Sequence, residues 1–248
     1  MYTSGRSTRD DAAMLSAIDA VDWEAVPGHP DWYDPARAAQ GLRMLAGASN
    51  LVQAAQAGSL LGGGGIVHGH SAAVFPAAVA AAPLLLDIVQ QGHPAARETA
   101  LGLVDEALSS YPHAHYTRVT TSYGTGIPIC CAVAHHVRAR RELLASLGKR
   151  GRALLDDAAE HWRFEIRECV ADGRDTAAFG ILESCFPDGV QAVERNVDGE
   201  LVVLDEVALE YPPTDGVLDA CLRVRGRPPR DVPSGAVLYS AECGERVH

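Results

Sequence analysis

Residues 71–110 read SAAVFPAAVAAAPLLLDIVQQGHPAARETALGLVDEALSS. The second half of this stretch sets Ala96, Ala100, Leu101, Leu103, Val104 and Leu108 at three- and four-residue steps, while Arg97, Glu98, Asp105 and Glu106 fall largely on the other side. That is the pattern of an amphipathic helix. The first half is apolar at nearly every position, which predicts a helix over 74–89 covered on all sides, with Pro83 starting or kinking its second part. Gln91-Gly92-His93-Pro94 supplies a glycine stop and a proline start. The stretch therefore reads as a helical hairpin, and such a hairpin must bury its apolar face against neighbours.

Upstream, residues 1–33 begin polar, give a short helical pattern over 11–21 and end in WEAVPGHPDWYDP, whose prolines and glycine stop a helix. Trp23, Trp32 and Tyr33 could either close the end of a helical stack or form a binding surface, and closure is the expectation. From Asp34 the spacing predicts one or two helices, with Pro35 at a helix start. Gly62 to Gly65 lack the Lys-Ser or Lys-Thr of a phosphate-binding loop, and read as a mobile connection.

Downstream, residues 111–128 form a long polar and aromatic connection, a length that in a compact domain points to function or loose order. Residues 127–147, 152–172 and 176–186 read as three further helices, with Leu143, Leu144, Leu147, Leu154, Leu155, Trp162 and Ile166 as buried stripes. After Pro187 the character changes. The runs 191–194 and 201–209 flank Asp198-Gly199, a tight hairpin signal. The runs 217–224 and 236–240 complete a small β-rich segment, and an irregular helix over 215–224 remains an alternative.

Composition sets limits. At 248 residues with 47% hydrophobic and 21% charged residues, the chain suits a folded protein of one large core, or of a main domain with an appendage. The longest apolar run, 72–86, is too short and too broken by proline to span a membrane. The N-terminus has no apolar stretch of a secretory signal, so a cytoplasmic location is expected. Six cysteines without a Cys-x-x-Cys pair are expected to be reduced thiols, and Cys130-Cys131 to be small core hydrophobes. The net charge of −11 is concentrated at the two ends, which argues against nucleic acid as a partner.

On Pro83, Leu85, Leu86, Asp87 and Ile88 in the first helix, and Arg97, Ala100, Leu101 and Gly102 in the second, the hairpin resembles the HEAT-like, armadillo-type helical repeats. Within them it is similar to bacterial proteins that are mostly uncharacterised, some regarded as immunity proteins to secreted toxins. The resemblance covers about 40 residues well, and does not reach the C-terminal region. It implies an α-solenoid with a concave surface suited to holding a protein or peptide.

Ten histidines invite a metal reading. His68 and His70 precede the hairpin, and His113 and His115 follow it. An antiparallel hairpin returns the chain to the side it left, so the two loops should be neighbours. No acidic or thiol ligand accompanies either pair at a spacing used by zinc, and no metal or cofactor is assigned. His135 and His136 are adjacent on a helix and point about 100° apart. The iron-binding HEAT-like hydroxylases carry His-Glu dipeptides that this chain lacks. A helical-repeat DNA glycosylase would need a basic cleft, for which only Arg138 to Arg152 offers a local surplus.

These observations give a mainly α protein: a HEAT-like α-solenoid of stacked antiparallel helix pairs with a β-rich appendage. It is divided as a cap over 1–33, helical repeats over 34–186 and the β-rich segment over 187–248. Its expected function is to bind another protein, as an immunity or inhibitor protein does, with a basic partner favoured by the acidic ends. Candidate binding residues are His68, His70, His113 and His115, with Arg138 and Arg141. The competing reading is an enzyme with a small-molecule or metal site between the loops 62–70 and 111–126. No catalytic residue is identified, and enzymatic activity is left open.

Overall fold

The computed structural model describes residues 8–213 and 219–247. The first seven residues of the expected cap, and residues 214–218 at the start of the run read as strand or helix, lie outside the described residues. In chain order the first elements are α1 (Thr8–Asp19), α2 (Pro35–Ala46), α3 (Leu51–Gly62), β1 (Val67–His68), β2 (Ala73–Val74), α4 (Ala77–Gln91), α5 (Pro94–Ser109) and β3 (Tyr111–Pro112). Then come β4 (Arg118–Thr121), β5 (Gly124–Pro128), α6 (Ile129–Ala139), α7 (Arg141–Ser146) and α8 (Lys149–Ala159). The strands β6 (Arg163–Asp172), β7 (Asp175–Glu183), β8 (Val190–Val197), β9 (Glu200–Tyr211), β10 (Asp219–Val224) and β11 (Val237–Ser240) follow, with α9 (Ala241–Glu245) after them. Two compact units result: one runs up to Arg118 and includes His135–Leu155, and the other comprises Val119–Ala134 and Asp156–Arg246.

In the helical unit, α4 and α5 form the hairpin, and α2 and α3 pack on them and on each other. The hairpin's turn is held by side chains. Arg97 Nε donates to the Gly92 carbonyl at 2.8 Å and its Nη2 donates to that of Gln90 at 3.1 Å, satisfying carbonyls at the end of α4 that the helix itself leaves open. His93 caps α5 by accepting from the Ala95 amide, with Pro94 in the first turn. Pro83 lies inside α4, which continues through it. Asp34 caps α2 in the same manner as His93 caps α5, accepting from the amides of Ala36 and Arg37.

The connection 62–65 is packed. Gly64 and Gly65 are buried, and their amides donate to the Val67 and Leu60 carbonyls. Beyond it β1 pairs antiparallel with β2, and β2 pairs parallel with β3, so Ala73 faces Tyr111. Trp23 closes the core as a buried side chain whose Nε1 donates to the Ile18 carbonyl at 3.0 Å. Tyr33 donates to the Trp23 carbonyl at 2.9 Å, and burial pushes its phenol up to about 12.

The second unit overturns the solenoid. Six strands close into a barrel in the order β10-β7-β6-β11-β8-β9, so the HEAT-repeat, armadillo-type and α-solenoid descriptions do not apply. The stretches 152–172 and 176–186, expected as helices, hold β6 and β7, paired antiparallel. The physical reason lies in the period. Phe164 and Ile166 are buried with the less buried Glu165 between them, and Ala178, Gly180 and Leu182 are buried at alternate positions. That is the two-residue repeat of a strand. The three- and four-residue steps through Leu154, Leu155, Trp162 and Ile166 came from joining the end of α8 to the start of β6.

Asp172-Gly173 is the turn between them, with Gly173 at φ 64, the left-handed region that glycine enters without penalty. At Gly180 the strands approach so closely, opposite the register shift between Ile166 and Glu168, that a Cβ would collide with the Glu165 carbonyl. The β8–β9 hairpin turns at Asp198-Gly199. Inside the barrel, Trp162, Phe164, Ile166, Leu182, Leu204, Leu222 and Leu238 form one apolar core. Among the described residues, no helix is long and apolar enough to cross a membrane.

Candidate metal centre

β5 ends at Pro128, and α6 begins at the next residue, so Cys130 and Cys131 occupy the first turn of an 11-residue helix. A helix N-terminus carries partial positive charge and favours thiolates. His161 lies between α8 and β6. Antiparallel pairing sets Tyr239 of β11 opposite Arg163 of β6, so the chain leaving β11 runs back past Trp162 and His161. That return places Cys243, on α9, beside His161, with Sγ 3.2 Å from Nδ1.

The four side chains converge. The ligating atoms of Cys130, Cys131, His161 and Cys243 all lie within 4.8 Å of one another. Tetrahedral zinc with Zn–S bonds near 2.3 Å sets sulfur atoms about 3.8 Å apart, inside the 4.8 Å that bounds the separations of these ligating atoms. Exposure is 3% for Cys130 and Cys131, 5% for Cys243 and 7% for His161, so the set is shut off from solvent. Three thiolates and one imidazole are a zinc donor set, and four protein ligands leave no position open for a substrate.

The electrostatics follow from crowding. Hydrogen bonds from Cys131 and Cys243, and the His161 imidazole, hold the Cys130 thiol well below its ordinary range. Cys131 is pushed well above it, because it donates to Cys130 and is buried. Cys243 is pushed up as well, first by its hydrogen bond to Cys130. A second negative charge would be buried beside the first, which opposes ionisation of Cys131 and Cys243. A divalent cation reverses that penalty, and metal binding would release the remaining thiol protons.

The residues expected from sequence are placed as follows. His68 stacks on Trp32 with centroids 5.6 Å apart, and His113 meets the edge of the same indole at 4.9 Å. His70 adjoins His68 at 6.1 Å, and His29 joins the group at 4.3 Å from His113. The sheet β1-β2-β3 is what draws these loops together. His115 is exposed in a left-handed turn with φ 71. The rings contact by face and edge, and the one group of three or more metal-ligating side chains among the described residues is the cysteine–histidine cluster. Arg138 is half-buried and Arg141 exposed, while their neighbours Arg140 and Arg150 pair with Asp87 and Glu98 of the hairpin.

The centre is missed by spacing rules, because its ligands sit at 130, 131, 161 and 243 and only strand pairing unites them. One signal was present: two adjacent cysteines, separated from Pro128 by one residue and in the first turn of a helix, where thiolates are favoured. Comparison of the chain with protein-family models, with curated proteins and with solved structures finds no match.

Proposed function

We propose that this chain is a zinc-binding protein, in which Cys130, Cys131, His161 and Cys243 hold one structural ion in the barrel unit. The observation that carries this reading is the convergence of four buried ligating atoms within 4.8 Å of one another. A buried trio of thiols with an imidazole has no apolar packing advantage over aliphatic side chains, whereas zinc repays its desolvation. The ion would join the start of α6, the α8–β6 junction and α9.

Elemental analysis of protein purified without chelators should give one zinc per chain. Cobalt substitution should give the absorption of tetrahedral thiolate ligation, and Cys131→Ser and Cys243→Ser should each lose it. Metal-free protein that takes up neither ion would overturn the reading.

A second reading concerns the helical unit. The half-buried group of His29, Trp32, His68 and His113 favours a protein-binding role, since Trp is enriched where interfaces carry their energy. Trp32→Ala should then abolish binding to a purified partner while leaving the melting temperature nearly unchanged. Equal binding by the variant would move the interface elsewhere.

A further inference from the structure

The barrel unit has a cavity of about 220 Å³, lined by the β4–β5 hairpin on one side and by the outer face of β6, β11 and β8 on the other. Its lining shares no residue with the cysteine–histidine cluster. That space suits a molecule of about monosaccharide size.

Its floor is polar where a barrel's covered face is ordinarily apolar. Tyr239 is flanked by Arg163 on β6 and Glu194 on β8, and all three are buried. Val237, one rung along, is flanked by Glu165 and Asn196. Arg163 gives one guanidinium nitrogen to Glu183 and another to Glu165, each at 3.0 Å, while its Nε is buried without a hydrogen-bond partner. A buried donor left unmatched costs free energy that a bound acceptor would return.

The mouth is different. Asp198 is exposed in the β8–β9 turn, and no ion pair among the described residues engages it. Arg163 already pairs with Glu165 and Glu183, and Arg167 with Glu165, so the charge offered at the mouth is that of Asp198. Tyr123 adds an aromatic flank, and Thr125 a hydroxyl.

We propose that this cavity binds a small hydroxylated amine, the chemistry of an amino sugar. The ligand's neutral oxygens would accept from Arg163 and its ammonium would pair with Asp198. A free carboxylate would gain little, because Arg163 already serves two carboxylates.

The test is calorimetric titration of the full chain, as purified, with glucosamine, glucose and N-acetylglucosamine. Glucosamine should bind at least about tenfold more tightly than the two uncharged sugars, the usual effect of one charge-assisted hydrogen bond. Asp198→Asn should reduce glucosamine to the level of glucose. Asn tolerates the left-handed backbone at φ 49, so the turn is kept. Arg163→Lys should weaken all three sugars alike, and an unchanged circular dichroism spectrum would separate that loss from unfolding. No heat with glucosamine, equal binding of the three sugars, or unaltered affinity in Asp198→Asn would each overturn the proposal.

Discussion

Leu101 on α5 is 4% exposed, so an aspartate there would be an unpaired charge inside the helical unit. Leu101→Asp should cost about 3–5 kcal/mol and abolish cooperative melting, or lower its midpoint sharply. His136 on α6 gives a pH-dependent counterpart. Burial, with His135 alongside, holds its imidazole down to about 4 from 6.5. Between those values the unfolded chain binds a proton that the folded chain refuses, so stability falls as pH drops through this window. His136→Gln removes the group, and its melting temperature should decline less steeply with acid than the parent's over the same range. At this scale the sequence was informative about burial and poor about company. Leu101 and Val104 were legible as core from their spacing, whereas Cys130 and Cys131 looked like core and turned out to share their space with His161 and Cys243.

Among the elements, the hairpin α4–α5 was readable because every local cue agreed: apolar period, glycine stop and proline start. Arg97→Ala should cost about 1–2 kcal/mol by freeing the Gly92 and Gln90 carbonyls. Thermal melts alongside Arg97→Lys, which restores charge without the forked geometry, would show whether shape or charge matters. β6 and β7 were illegible for a physical reason. Each has mixed polarity on the outer face, and α8 runs almost directly into β6, so a window of helical length averages two periods into one. The Asp172-Gly173 pair carries the same turn signal as Asp198-Gly199, and it marks the hairpin that the averaged pattern concealed.

For the whole molecule, the proximity of distant segments was the part no local pattern could supply. The ring order brings β11 between β6 and β8, although their sequence positions are far apart. β11 has four residues, against ten in β6 and eight in β8, so it is held by few ladder bonds of its own. Its continuation into α9 carries Cys243. A zinc ion would therefore seat the weakest stave of the ring from outside. A closed ring presents no unpaired row of backbone amides, but one lacking β11 presents two, on β6 and on β8, and such edges recruit strands from other copies. Stripping the metal with a chelator should thus produce concentration-dependent light scattering and a β-rich precipitate before the helices melt, and Cys243→Ser should precipitate without chelator. On that reading the cysteine on α9 would act as a guard against self-association as much as a ligand.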